Sequence, residues 1–177
     1  MEIKSERLLL RPISIKDLMT THAYASDREA NTYMLNLPND TLQQTENFLK
    51  GCEDNWKSFN QEVFQLDFAI IFDGKHVGGI SLSKEAGPEA EIGWILNRHY
   101  WQKGIAFEAA KTLMDYFTKN YQIKHYIAHC DSQNKASYAL MEKLGMTRVS
   151  VAGGRFNKGS QSESQEYLYE LKIGREK

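Results

Sequence analysis

The spacing of hydrophobic positions changes along the chain, and each change marks an element. Phe64, Leu66, Phe68, Ile70 and Phe72 alternate with Gln65, Asp67, Ala69 and Ile71, the two-residue period of a strand. Asp73-Gly74 is a hairpin signal, and His76 to Ser83 returns as the partner strand. Gly87-Pro88 then turns the chain into a third strand over 90–96, so tight turns predict an antiparallel meander. From Ala106 the period lengthens. Ala106, Ala109, Ala110, Leu113, Met114 and Phe117 recur at three and four, the apolar stripe of an amphipathic helix. His125 to Cys130 reads as a strand, and Asn134 to Leu144 as a second helix, with Gly145 where a left-handed cap is wanted. Two late strands, about 147–151 and 165–173, close the chain. The polar, glycine-rich segment from Gly153 to Ser160 between them is expected to be a mobile hairpin loop.

The first third follows a different plan. Arg7 to Arg11 predicts a short strand stopped by Pro12. Ser14 with Asp17 three residues on, and Thr41 with Gln44, are capping pairs that open two helices. The first helix runs to about Ser26; the second places Leu42, Thr45, Phe48, Leu49, Cys52 and Trp56 on one face, with a loop around 36–40 before it. Tyr33, Trp56, Phe64, Phe68 and Tyr126 are expected in the core. The order is β-α-α-β-β-β-α-β-α-β-β. A strand, crossover helix and strand over 90–130 require parallel pairing inside an otherwise antiparallel sheet, so the class is α+β with a mixed sheet.

Length and composition narrow the reading. The 177 residues, 41% of them hydrophobic, fit a single domain spanning 1–177. With 22 basic and 23 acidic residues the net charge is −1, and there is no basic stripe of the kind that neutralises nucleic-acid phosphates. Two cysteines, Cys52 and Cys130, are too few for a disulfide framework and are expected as buried thiols. No metal-ligand spacing involves them or the five histidines. The charged N-terminus and the lack of a long apolar run predict a cytoplasmic protein that does not engage membranes. A monomer or a homodimer is expected, the terminal strand offering an edge for pairing.

The most informative stretch runs from Glu91 to Ala106: a strand, a loop containing glycine, and the start of a long helix. Free amides and the positive dipole end at a helix N-terminus bind anions. Gly104 and Ala106 are small enough for a pyrophosphate to approach the backbone, and Lys103 adds a charge. The stretch lacks both GxGxxG and the P-loop pattern.

The loop Gln102-Lys103-Gly104-Ile105-Ala106, followed by Phe107-Glu108-Ala109-Ala110, resembles the acyl-CoA pyrophosphate loop of the GNAT superfamily, in particular its RimJ/RimL-like branch. Three other stretches agree and stand in the same order: Ser5 to Pro12, Gly78-Gly79-Ile80, and Asn134-Lys135-Ala136-Ser137 with Leu144-Gly145-Met146. The resemblance implies a mainly antiparallel sheet of about seven strands flanked by four helices in α-β-α layers. It implies acetyl-CoA as cosubstrate and no metal. Trp94, Ile95 and Leu96 would line the strand that pairs with the pantetheine arm. Gln102, Lys103, Gly104, Ile105, Ala106 and Phe107 would cradle the pyrophosphate, and Asn134 would bond the cofactor. Ser137 is the residue implied to protonate the leaving thiolate. The position seven after the motif asparagine, a tyrosine in many relatives of this type, is Met141 here, and Trp101 opens the pyrophosphate loop.

Acetyl transfer to an amine needs a base, because a protonated amine cannot attack. Glu91, opening the strand beside the cofactor, is the candidate. Three functions follow: transfer to a protein N-terminus or similar peptide amine, transfer to a small-molecule amine (antibiotic, polyamine or amino acid), or CoA binding with little catalysis.

Overall fold

The computed structural model describes residues 1–174. Within them eight strands form one sheet: β1 Ile3–Lys4, β2 Leu8–Pro12, β3 Phe64–Phe72, β4 Lys75–Lys84, β5 Glu89–Leu96, β6 His125–Asp131, β7 Thr147–Asn157 and β8 Ser162–Lys172. The helices are α1 Leu18–Ala25, α2 Leu42–Lys57, α3 Ile105–Tyr121 and α4 Lys135–Lys143, with short 3-10 turns at Ile15–Asp17 and Arg98–Tyr100. The sheet order is β1-β2-β3-β4-β5-β6-β8-β7. All neighbours are antiparallel except β5 and β6, so the crossover over α3 imposes the parallel pair that the sequence demands.

Alternation along the strands sorts the side chains into two cores. Leu66, Phe68, Ile80, Leu82, Ile92, Tyr126 and Ala128 pack with Ala109, Leu113 and Phe117 of α3 and Met141 of α4. On the opposite face Ile13 and Ala69 pack with Leu49 and Cys52 of α2. Helices thus lie on both faces of the sheet, giving three layers. Both capping boxes form, at Ser14 with Asp17 and at Thr41 with Gln44. Asp73 and Gly74 both take positive φ in the β3–β4 hairpin. Cys52 and Cys130 are free and buried. Among the described residues no helix is long and apolar enough to cross a membrane.

Four expectations need correction. Residues 153–157 are strand, not loop: β7 runs on to Asn157, because Arg155 and Asn157 turn inward to bury their side chains. Leu42 and Phe48 point to solvent, 40% and 44% exposed, leaving Thr45, Leu49 and Cys52 as the packed stripe of α2. Tyr33 is only half-buried, lying in the segment between α1 and α2. The sheet also gains a short strand ahead of the predicted first one, since Ile3 and Lys4 pair with Leu10 and Leu9.

Candidate functional site

The parallel pair β5–β6 is short. Glu89, Ala90 and Glu91 register with His125, Tyr126 and Ile127, and there the pairing stops. Strand β5 continues to Leu96, still bonded to β4, and β6 continues to Asp131, still bonded to β8. The two strands therefore part after Glu91 and Ile127. A backbone edge that finds no strand partner offers donors and acceptors to an extended ligand. Trp94, Ile95 and Leu96 lie on this open stretch.

Beyond Leu96 the chain makes the 3-10 turn and enters α3 through a strained loop. Gln102 and Gly104 both take positive φ, and Gly104, at φ 73°, is the N-cap; a side chain at that angle costs energy that glycine avoids. The first backbone bond of α3 runs from the Glu108 amide to the Gly104 carbonyl. Among the described residues, the amides of Gln102 through Phe107 donate to no protein acceptor. These six residues, named from the sequence, form one run of free donors at a helix N-terminus, the arrangement that binds phosphate.

The loop is held from behind by residues the sequence gives no reason to pair. Arg7 Nε donates to Glu108 Oε2 at 2.6 Å and Arg7 Nη1 to the Lys103 carbonyl at 3.1 Å. Ser5 Oγ and the Arg7 amide both donate to Glu108 Oε1. Burial pushes the Glu108 carboxyl up, but these hydrogen bonds outweigh it and hold the group below the usual range.

At the apex where β5 and β6 part stand Glu91 and His129. Glu91 Oε1 and His129 Nδ1 are 2.7 Å apart. The hydrogen bond to Glu91 raises the imidazole pKa against the opposing effect of burial. Residue alternation places both side chains on the sheet face that carries α1 and α2 over β3 and β4. A shallow groove of about 250 Å³ on that face is lined by Ser83, Glu85, Gly87, Glu89, Glu91 and Ile127. His129 went unnoticed in the sequence because a strand histidine is ordinarily a half-buried spectator; only the parallel register brings it to Glu91.

On the other arm of the opening, Asn134 caps α4 by accepting from the Ser137 amide at 3.3 Å. Burial raises the Cys130 thiol to about 11, with a hydrogen bond from Ser137 acting the other way, so Ser137 sits beside the end of β6. Met141 is buried in the core. Tyr138 packs its ring 5.8 Å from that of Tyr167.

A further network closes the far side. Asp131, fully buried, accepts from Asn157, Ser164 and the Gln133 amide. Arg155 donates to Asn157, to Glu166 and to the Tyr33 carbonyl. Lys158 reaches the Pro38 carbonyl and Asp40. A β-carbon on Gly159 would lie 1.8 Å from the Asn31 carbonyl oxygen, so glycine is required where the β7–β8 hairpin meets the 27–40 segment. Arg98 ties the same segment to the end of β5 through Asp27 and Glu29. The segment expected to be a mobile loop is thus the docked end of a hairpin. Among the described residues no group of three or more His, Cys, Asp or Glu side chains is arranged to hold a metal ion.

Comparison with known proteins identifies the family of this fold. Residues 7–147 match the acetyltransferase (GNAT) domain. The chain is 34% identical over 150 residues to the uncharacterized N-acetyltransferase YnaD of Bacillus subtilis, covering 84% of each chain. It is 32% identical to a GNAT-family acetyltransferase from Bacillus anthracis of known structure, with a TM-score of 0.81 over 97% of this chain and 98% of that one. RimL, a ribosomal-protein acetyltransferase solved in complex with coenzyme A, has the same fold at 17% identity, with a TM-score of 0.85 over 99% of this chain and all of that one. The chain belongs to the GNAT family and is an acetyltransferase.

Proposed function

We propose that the protein transfers the acetyl group of acetyl-CoA directly to a primary amine, the α-amine of a peptide or protein N-terminus being its first candidate acceptor. The observation that carries this reading is the opening between β5 and β6, with free amides at one end and Glu91 at the other. The five steps from Glu91 to Leu96 span roughly 17 Å at the usual strand rise of about 3.3 Å per residue. That is the scale of an extended pantetheine arm. Residues 102–107 would hold the pyrophosphate, and the free edge of Trp94, Ile95 and Leu96 would pair with the arm. Asn134 serves as the cap of α4 and lies on the facing side.

Acetyl-CoA supplies an activated thioester, and the chain supplies position and proton transfer. Glu91 takes the proton as the amine nitrogen bonds to the thioester carbonyl. His129 orients Glu91 and shares the acquired charge. As the C–S bond breaks, Ser137 gives its hydroxyl proton to the departing sulfur and regains one from solvent, while Glu91 returns its proton to solvent. A backbone amide of β5 near Ile95 or Leu96 faces the developing oxyanion. The acidic groove beside Glu91 supports a peptide acceptor, because a shallow open groove admits a chain end and its carboxylates complement an ammonium group.

The test is Glu91→Gln in steady-state kinetics with acetyl-CoA against a panel of N-terminal peptides and small amines. Turnover should fall at least tenfold, in keeping with a general-base contribution of about 10²–10⁴, with acetyl-CoA affinity intact. Unchanged turnover at neutral pH would remove Glu91 from the mechanism. Activity of Ser137→Ala within twofold of the parent would do the same for Ser137. Turnover confined to small amines would replace the peptide reading with the small-molecule one.

A further inference from the structure

We infer that Arg7 is a positioning residue for the acyl donor, masking Glu108 and aiming the amides of the α3 entry loop at the donor's pyrophosphate. The inference rests on the reading of residues 102–107 as the pyrophosphate loop. The first turn of α3 contains a contradiction. Its free amides suit an anion, yet Glu108 places a full negative charge in the same turn. Like charges a few ångströms apart repel strongly where water is thin. Arg7 removes the conflict from a position 101 residues earlier in the chain, meeting the carboxylate at 2.6 Å. Ser5 and the Arg7 amide occupy its other oxygen. Glu108 is thereby fully engaged on the side facing β2.

The second arm of the guanidinium acts on the loop itself. Arg7 Nη1 donates to the Lys103 carbonyl. The peptide between Lys103 and Gly104 is planar and trans, so drawing that carbonyl toward Arg7 turns the Gly104 N–H the opposite way. Arg7 Nη2 lies 3.5 Å from where a β-carbon on Gly104 would sit, and the guanidinium carbon is 5.8 Å from the centre of the Phe72 ring. The side chain is therefore held by β3, by the loop and by α3 together. Lysine cannot take its place, since one ammonium does not present the planar fork that serves a carboxylate and a carbonyl at once.

The experiment compares acetyl-CoA with S-acetylpantetheine, a thioester donor that lacks the pyrophosphate, in the parent, Arg7→Ala, Arg7→Lys and the Arg7→Ala, Glu108→Gln double variant. Arg7→Ala should raise KM for acetyl-CoA about tenfold or more with kcat within twofold, and leave kcat/KM for S-acetylpantetheine unchanged. Arg7→Lys should fall between parent and alanine. The double variant should regain part of the lost acetyl-CoA affinity, because the unmasked charge is gone while the Lys103 carbonyl stays unheld. Equal losses with both donors, or no recovery in the double variant, would reduce Arg7 to a general structural contact and overturn the inference. If Arg7→Ala does not fold, the Arg7→Lys comparison of the two donors decides in the same way. A parent enzyme that uses both donors equally well would refute the pyrophosphate-loop reading itself, and the role of Arg7 with it.

Discussion

Replacing Arg155 with alanine removes a guanidinium whose side chain is only 7% exposed. Its Nη1 lies 2.6 Å from Glu166 Oε2, its Nη2 2.8 Å from the Tyr33 carbonyl and its Nε 2.9 Å from Asn157 Oδ1. Asp131, with no side-chain exposure, sits 3.8 Å from the same Nε. Truncation leaves that carboxylate with only neutral donors. Breaking a buried pair by removing one partner costs about 3–5 kcal/mol. With an unfolding entropy of about 2.1 cal/mol/K per residue over this chain, Tm should fall by about 8–13 °C. Thermal unfolding followed by circular dichroism reads this directly. An Arg155→Ala, Asp131→Asn double variant should recover part of the loss, since no buried charge is then stranded. A fall in Tm below about 2 °C would mean that water reaches Asp131 freely, and would refute the claim that this network fastens the hairpin to the 27–40 segment.

His129 should titrate above the ordinary imidazole value of about 6.5, because Glu91 favours its charged form more than burial and Arg155 disfavour it, with Glu166 at 4.0 Å adding to the effect. A folded pKa above the unfolded one contributes stability that is complete below about pH 6.5 and lost as pH rises through the folded value. NMR titration should show the His129 pKa fall in Glu91→Gln; the same pKa in both would deny the coupling. Asp67 carries a buried Oδ2 with no hydrogen-bond partner among the described residues, and burial raises its carboxyl pKa. Its protonated form is favoured by folding, so that contribution is present at acid pH and lost as pH rises through the raised value. Asp67→Asn should therefore raise Tm at pH 8 and leave it little changed at pH 4, and an equal Tm at pH 8 would contradict this.

Local periodicity carried most of the fold into view. The switch from two-residue to helical spacing at Ala106 placed α3, the β-α-β order demanded the parallel pair, and Thr41 with Gln44 placed the start of α2. The turn entering α3 was legible as a place for an anion because its residues, 102–107, are contiguous in the chain, and the structure leaves their amides free. What was hidden was held together over long separations. Glu91 meets His129 across 38 positions, Arg7 meets Glu108 across 101, and Arg155 meets Tyr33 across 122. The glycines and polar residues of 153–157 carry the local signature of a loop, and the strand exists because Arg155 finds Glu166 on β8 and Asn157 finds the buried Asp131 on β6. Asp131 lies 26 positions before Asn157, outside any local window.

In the proposed complex acetyl-CoA lies along the free edge of β5, with its phosphates on the amides that enter α3. Amide hydrogen exchange, compared with and without saturating acetyl-CoA, tests it most directly. Exchange should slow in residues 102–107 and at the β6-facing amides of residues 92–96, with the edge strand β7 unchanged. Unaltered exchange in both segments, with the donor bound, would place the cosubstrate elsewhere on the protein.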